Sequence, residues 1–130
     1  MSKRGWVATL DRLATEWRSK LCSQPFEVME IALLDAKGQA LEGGVHRLGV
    51  GSIDRVAIYP RQVMRAAVKA DAAAVVICHN HPSGCSEPTR FDLDATRSVY
   101  LAGVSLDVKL LDHLIVSDGG VFSFRSEGLL

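Results

Sequence analysis

The side chains of this sequence best suited to chemistry are two histidines and an aspartate that follow an apolar run. His79 and His81 open the stretch HNHPSGCSEPTRFD, which ends at Asp92. In an extended backbone, residues i and i+2 project to the same side, so the two imidazoles can point at one place. Pro82 and Gly84 then turn the chain away, and Asp92 arrives in the first turn of a predicted helix. The spacing can therefore bring three side chains to a common point.

These three side chains are the ligand types of a catalytic zinc site. Two imidazoles and one carboxylate leave the fourth tetrahedral position to water, whereas structural zinc sites are closed, normally by thiolates. A bound metal lowers the pKa of water from about 15.7 toward about 7 and polarises a carbonyl. A second carboxylate must then accept the proton and return it to the leaving group. Glu27 is our candidate, provided that its strand and the strand before His79 are neighbours.

Thr89 and His113 each have two interpretations. The Thr89 hydroxyl could donate to the oxyanion of a tetrahedral intermediate. Thr89 and Asp92 are also spaced as the N-cap and N3 residues of a helix, which is a purely structural role. His113 could orient a metal ligand from outside the coordination sphere, or it could be a hydrogen-bonded structural histidine.

Hydrophobic periodicity predicts an α/β domain that can position these residues. The run FEVMEIALL is apolar on both faces, which indicates a strand buried on both sides. We therefore expect a three-layer single domain with a mixed central β-sheet flanked by helices. Predicted helices cover 6–22, 60–70 and 90–102, the last ended by Gly103; predicted strands cover 26–34, 39–48, 73–78, 106–111, 114–116 and 121–124, with an irregular loop at 79–88.

The first predicted helix has an apolar stripe and a basic remainder. We interpret it as a surface helix with a solvated basic face, and the alternative is a docking or dimerisation helix. The stripe consists of Val7, Leu10, Ala14, Trp17 and Leu21.

Length and composition exclude several classes of protein. The 130 residues suffice for one domain, and 48% apolar with 23% charged residues is typical of globular proteins. Fifteen basic and fifteen acidic side chains cancel, so no overall field attracts nucleic acid or anionic lipid. No uninterrupted apolar run reaches the length of a membrane span, and the first residues lack a signal-peptide core. Three scattered cysteines do not form a disulfide framework, and we expect a cytoplasmic protein.

Several motifs together resemble the JAMM (JAB1/MPN+) metalloprotease family, and in particular its bacterial RadC branch. The pattern is His-x-His, seven residues, Ser or Thr, two residues and Asp, with an upstream Glu. The resemblance covers about 26–130, which suggests an N-terminal amphipathic helix at 1–22 and a catalytic domain at 23–130. The matching stretches are GSIDRVAIYPR, HNHPSG, LLDHLIV and SFRSEGLL.

The resemblance implies a JAB/MPN-like, cytidine-deaminase-like fold and a role for each motif residue. His79, His81 and Asp92 would bind one zinc ion, and Glu27 would be the general acid/base. Glu30 faces the opposite side of its strand and is the weaker candidate. Thr89 stands where the motif usually has Ser and keeps the hydroxyl.

Two departures from the family pattern bear on function. Cys85 stands where RadC proteins commonly have Asp, and it could be a soft extra ligand, a redox-sensitive thiol or an incidental small residue. RadC proteins also carry an N-terminal helix-hairpin-helix region; we expect 130 residues to be too few to include it, which would weaken a DNA-related role.

Three functions remain in competition. The first is a zinc-dependent hydrolase of a peptide or isopeptide bond, with a protein or peptide substrate such as a ubiquitin-like conjugate. The second is a factor associated with nucleic acid or DNA repair, whose binding would weaken with salt. The third is a non-catalytic interaction domain, which would be expected if ligands were missing. We expect no membrane partner, and a homodimer is compatible with the sequence.

Overall fold

The computed structural model describes residues 3–130, which form three helices and one five-stranded sheet. The sheet order is β2-β1-β3-β4-β5, and β3–β4 is its parallel pair, while the other neighbouring strands are antiparallel. The prediction of an α/β domain with a mixed sheet is confirmed. The elements are α1 (Lys3–Leu21), β1 (Val28–Leu34), β2 (Ala40–Val50), α2 (Pro60–Lys69), β3 (Ala74–Asn80), α3 (Arg90–Leu106), β4 (Lys109–Ser117) and β5 (Gly120–Ser123).

The pairing of β1 with β3 decides where the chemistry can occur. These strands are antiparallel neighbours, and Met29 lies opposite His79. The start of β1 and the end of β3 therefore meet at one edge of the sheet. The helix α3 connects β3 to the parallel strand β4, so its first turn begins near the same edge. Glu27 therefore precedes a strand that neighbours the strand of His79, as its predicted role as general base requires.

Helices cover both faces of the sheet and make three layers. One face of the sheet packs against α1, and the other packs against α2 and α3. Every residue of β1 is buried, as its two apolar faces predicted, because each face meets a helical layer. In α1 the buried residues are Thr9, Leu13, Trp17 and Leu21, at a spacing of four. Of the predicted stripe, Trp17 and Leu21 are buried, Leu10 and Ala14 are half-buried, and Val7 is exposed.

Three predicted boundaries are wrong. The strand β3 continues through His79 and Asn80, where a loop was expected, because these residues pair with Ile115 and Val116 of β4. The first metal-ligand candidate therefore lies on the sheet itself. The two predicted strands 106–111 and 114–116 are one strand, β4. Its pairing with β3 shifts register by one residue, because Val75 of β3 lies opposite Leu110 and Val76 lies opposite Asp112.

The helix α3 does not end at Gly103 but continues to Leu106. A Cβ atom at Gly103 would lie 2.1 Å from the carbonyl oxygen of Val108, so this glycine permits a close backbone contact with the chain leading into β4. The helix ends instead at Asp107, which adopts a left-handed conformation with φ of 56°.

Within residues 3–130, no helix combines the length and the hydropathy that a transmembrane segment requires.

Candidate metal centre

Four buried side chains from three parts of the chain converge at the edge where β1 begins and β3 ends. His79 Nε2 lies 3.0 Å from His81 Nε2 and 3.2 Å from Asp92 Oδ1. His81 Nε2 lies 3.2 Å from Asp92 Oδ2. Glu27 Oε1 lies 3.9 Å from His79 Nε2, and ligand atoms of Glu27 and both histidines lie within 4.8 Å of one another. The structure thus brings together the three metal-ligand candidates and the general-base candidate that the sequence singled out.

The two carboxylates lie at different distances from the histidines. Glu27, His79 and His81 alone could hold an ion, since each offers a ligand atom within 4.8 Å of the other two. Asp92, however, lies 3.2 Å from the Nε2 atom of each histidine and is the nearer carboxylate. Because its oxygens lie closer to the histidine nitrogens than that of Glu27 does, we favour Asp92 as the third ligand.

Asn80, which the sequence analysis missed, holds the segment that carries Glu27. Its Oδ1 accepts a hydrogen bond from the Val28 backbone N–H at 2.6 Å, and its Nδ2 donates to the Phe26 carbonyl at 3.0 Å. Both neighbours of Glu27 are thereby fixed to the end of β3. The one available signal was an amide between two histidines at the end of an apolar strand.

The first turn of α3 positions Asp92 through a capping box. Thr89 Oγ1 accepts from the Asp92 backbone N–H at 3.1 Å, and Asp92 Oδ2 accepts from the Thr89 backbone N–H at 2.9 Å. The structural role foreseen for this pair is present. The hydroxyl of Thr89 acts as an acceptor in this cap, so its own hydrogen remains available to donate.

The arrangement of lone pairs suits a positive centre among these side chains. His81 Nδ1 donates to the Cys85 carbonyl at 2.9 Å, so a neutral His81 directs the lone pair of Nε2 toward His79. When ionised, Asp92 and Glu27 add acceptor oxygens on the same side. Tetrahedral zinc with bonds of about 2.0–2.1 Å separates its ligand atoms by roughly 3.3 Å. Separations of 3.0–3.2 Å are close to that value, so the donor set fits a divalent ion of this type.

Burial and mutual contacts shift the ionisation of each group. Burial is the main cause that raises the pKa of Glu27 to about 7. Burial opposes ionisation of Asp92 as well, but hydrogen bonds from both histidines outweigh it and lower its pKa. Burial lowers the pKa of His79. Burial acts in the same direction on His81, but contacts with Asp92 and the Cys85 carbonyl raise its pKa.

His113 and Cys85 lie beside the centre in different ways. His113 Nε2 lies 2.8 Å from His79 Nδ1, so the imidazole contacts a ligand candidate directly. Its other nitrogen, Nδ1, lies 2.5 Å from the hydroxyl of Thr96, a residue that the sequence analysis did not single out. The side chain of Cys85 is exposed, and its backbone carbonyl is what contacts His81.

Comparisons with known proteins match most of the chain. A family model described as the RadC-like JAB domain matches residues 7–129. The match includes most of α1 and so begins earlier in the chain than the motif resemblance, which covers 26–130. UPF0758 proteins from Marinomonas sp. (strain MWYL1), Nitrosococcus oceani and Alcanivorax borkumensis are 38%, 39% and 42% identical to this chain. The alignments cover 95%, 98% and 85% of this chain but 54%, 57% and 48% of those proteins, so the chain spans about half the length of these relatives. By this match the chain belongs to the RadC-like JAB domain family.

Proposed function

We propose that this chain is a zinc-dependent hydrolase that cleaves a peptide or isopeptide bond in a protein or peptide substrate. The observation that carries the proposal is the set of distances at the centre. Atoms of His79, His81 and Asp92 lie 3.0–3.2 Å apart, and Glu27 Oε1 lies 3.9 Å from His79 Nε2. Three side chains therefore suit metal ligands, and the fourth suits a base that acts on a water molecule next to them.

Each side chain has a distinct task in this proposal. His79, His81 and Asp92 would hold the ion. When bound, zinc supplies an acidified water and polarises the scissile carbonyl. Glu27 accepts a proton on its carboxylate and later returns it to the leaving nitrogen. Its pKa of about 7 suits both steps near neutral pH. The Thr89 hydroxyl donates to the oxyanion as negative charge develops there.

A ubiquitin-like conjugate is the substrate class that the family resemblance suggests. Exposed apolar groups and a cation lie close to Glu27 and Asp92 along the chain. Phe26 is exposed and precedes Glu27, and Ile53 is exposed and follows Ser52, whose carbonyl accepts from the Glu27 backbone N–H. The Arg55 guanidinium lies 4.6 Å from the ring centroid of Phe91, the residue before Asp92. These groups support a protein or peptide as the substrate.

Metal content tests the ligand assignment. We expect about one zinc ion per chain in wild-type protein, and a loss of zinc in the double variant His79→Ala/His81→Ala. Elemental analysis by mass spectrometry after dialysis measures both. Glu27→Gln is the matched control, because it should retain zinc. A double variant that kept full zinc content would refute the site.

Cleavage tests the chemistry separately from the metal. Zinc-loaded protein is incubated with a peptide library and with ubiquitin-like fusions, and new termini are identified by mass spectrometry. We expect Glu27→Gln to lose about 100-fold or more in rate at unchanged zinc content. Equal rates in wild type and Glu27→Gln would exclude Glu27 as the base. Zinc binding without any cleavage would favour the non-catalytic interaction domain.

A further inference from the structure

A buried series of three hydrogen-bonding side chains leads away from the centre. His79 Nδ1 lies 2.8 Å from His113 Nε2, and His113 Nδ1 lies 2.5 Å from Thr96 Oγ1. Thr96 Oγ1 lies 2.7 Å from the carbonyl oxygen of Asp92. His79, His113 and Thr96 are each at most 2% exposed, so water does not offer their side chains alternative hydrogen-bond partners. We call this series the Thr96–His113–His79 chain.

The direction of one hydrogen bond in this chain determines the direction of the others. A neutral imidazole has one N–H and one lone pair, and a hydroxyl has one O–H. If Thr96 donates to the Asp92 carbonyl, it accepts from His113 Nδ1. His113 Nε2 must then accept from His79 Nδ1. His79 Nε2 is left with a lone pair that faces the centre, which is the form a metal requires.

The opposite direction gives the form that cannot bind metal. If Thr96 donates to His113 Nδ1, then His113 Nε2 donates to His79 Nδ1, and His79 carries its hydrogen on Nε2. That hydrogen points at His81 Nε2 and Asp92 Oδ1, which are 3.0 and 3.2 Å away and accept it. Each residue has one exchangeable hydrogen in both arrangements, so the chain reverses with no net gain or loss of protons.

We propose that Thr96 and His113 are positioning residues for the ligand His79, and that their hydrogen bonds reverse direction when metal enters the centre. With metal bound, Thr96 donates to the Asp92 carbonyl and His79 Nε2 is free to ligate. Without metal, the reversed chain gives His79 Nε2 a hydrogen that two acceptors of the centre share, His81 Nε2 and Asp92 Oδ1. The proposal rests on the metal site proposed above, but not on any cleavage activity.

The surroundings of His113 favour a change of tautomer over a rotation of its ring. Its imidazole stacks on Phe124 with centroids 4.5 Å apart and an angle of 7° between the planes. The Phe124 backbone N–H donates to the His113 carbonyl at 3.0 Å, which keeps the two residues in register. A ring held in this way keeps both nitrogens aimed at Thr96 and His79. Only the position of the hydrogen can then change.

Nitrogen NMR of the histidines tests the reversal directly. Spectra that correlate ring nitrogens with ring protons distinguish the two neutral tautomers, and they are recorded at alkaline pH so that the imidazoles are neutral. In wild-type protein stripped of metal, we expect His113 to carry its hydrogen on Nε2. After zinc is added, we expect the hydrogen on Nδ1. The same tautomer in both states would overturn the proposal.

Zinc affinity of Thr96 variants tests the positioning role. Thr96→Val keeps the shape and removes the hydroxyl, and we expect the zinc dissociation constant to rise about 10-fold or more. Thr96→Ser restores the hydroxyl and should bind within about threefold of wild type. Thr9→Val is the matched control, because Thr9 is also buried and donates to the Gly38 carbonyl at 2.6 Å, on the other side of the sheet.

The possible results separate this proposal from the proposed function. Wild-type affinity in Thr96→Val, or an equal loss in Thr9→Val, would overturn the positioning role. If Thr96→Val does not fold, the tautomers of the wild-type protein and the Thr96→Ser affinity still decide. Failure of the wild type to bind zinc overturns both proposals. Normal zinc binding and tautomer reversal without cleavage overturns only the hydrolase.

Discussion

Asn80 lies between the two histidines and holds the backbone on both sides of Glu27. Asn80→Ala would leave the Phe26 carbonyl and the Val28 N–H without these two partners at the edge of the sheet. We expect the free energy of unfolding to fall by about 2–4 kcal/mol, since each buried partner left unpaired costs roughly 1–3 kcal/mol. Urea denaturation measures the change. We also expect cleavage to slow at unchanged zinc content, because the Asn80 side chain bonds the segment of the proposed base, Glu27.

The control for Asn80 is Gln62→Ala, which truncates an exposed amide on α2. That change should alter stability by less than about 0.5 kcal/mol. If Asn80→Ala were equally mild, the two hydrogen bonds would not be what holds Glu27 in place.

The sequence predicted the four converging residues, together with His113 and Thr89 beside them, but not Asn80 or Thr96. His79, His81 and Asp92 are separated by a short loop, so local geometry alone brings them together. Asn80 and Thr96 depend on long-range partners. The role of Asn80 requires β1 to begin beside the end of β3, and that of Thr96 requires His113 of β4 to lie under α3. No local pattern specifies such register.

Among the elements, a single buried carboxylate joins α1, β1 and β2. Glu30 accepts hydrogen bonds from Trp17 Nε1 at 3.1 Å, Lys20 Nζ at 2.7 Å and Arg47 Nε at 3.0 Å. We expect Glu30→Gln to lower the free energy of unfolding by about 2 kcal/mol at neutral pH, because charged hydrogen bonds contribute roughly 1.5–3 kcal/mol each and Gln keeps only part of them. The control is Glu16→Gln. Glu16 is exposed on α1, the helix that carries Trp17 and Lys20, and its substitution should leave the free energy of unfolding almost unchanged.

The contribution of Glu30 should depend on pH in one direction. Burial opposes its ionisation, but hydrogen bonds from Lys20, Arg47 and Trp17 outweigh burial and lower its pKa below 4.5. A carboxyl whose pKa is lower in the folded state stabilises the fold above the unfolded pKa, and this stability is lost as pH falls through the folded pKa. The difference between wild type and Glu30→Gln should therefore shrink on acidification below about pH 5. A difference that grew instead would contradict this account.

The close contact at Gly103 predicts a strong effect of one added methyl group. In Gly103→Ala the Cβ would meet the Val108 carbonyl at 2.1 Å, so the end of α3 and the start of β4 would have to separate. We expect a loss of at least about 2 kcal/mol in unfolding free energy, as in other overpacked sites. Ser105→Ala, an exposed position two residues further along the same helix, should be neutral or slightly stabilising. Equal behaviour of the two variants would refute the contact.

The elements themselves were largely predictable because burial repeats at short intervals. The helical period of α1 and the apolar runs of β1 and β3 follow from which faces meet another layer, although the buried face of α1 is centred on Leu13 and Trp17 and not on the predicted stripe. The end of α3 was not predictable in this way. Glycine is common just past the end of a helix, and Gly103 was predicted to end α3 for that reason. Instead, Gly103 lies inside the helix, where its lack of a side chain allows the backbone of Val108 to approach closely. The polar pair Asp112–His113 likewise suggested a gap in β4, although both side chains are buried and bonded.

For the molecule as a whole, we expect the balance of 15 basic and 15 acidic residues to limit binding to nucleic acid. The exposed cations of α2 are Arg61, Arg65 and Lys69, whereas Lys20 and Arg47 pair with Glu30. Three phosphate contacts would give a slope of roughly −2.7 in log K against log salt concentration. We expect duplex DNA binding, measured by fluorescence anisotropy, to show a slope no steeper than this and to be abolished by alanine at all three positions. A steeper slope would revive the nucleic-acid hypothesis.

Metal removal should destabilise the whole molecule, because the centre joins β1, β3 and α3. Ligand that binds only the native state adds about 2.7 kcal/mol at a concentration 100 times its dissociation constant. For a domain of 130 residues, this corresponds to a rise in Tm of roughly 10 °C. Differential scanning calorimetry of protein stripped of metal, with and without added zinc, measures the rise.

The variants that separate ligand from base should respond differently in that experiment. His79→Ala/His81→Ala removes two of the three nearest ligand atoms, so its Tm should be independent of zinc. Glu27→Gln should keep most of the rise, since Glu27 Oε1 lies 3.9 Å from His79 Nε2 and outside the proposed ligand set. If Glu27→Gln instead abolished the rise while Asp92→Asn preserved it, the ion would be held by Glu27 and the two histidines. That result would exchange the roles of the two carboxylates and leave the rest of the centre as described.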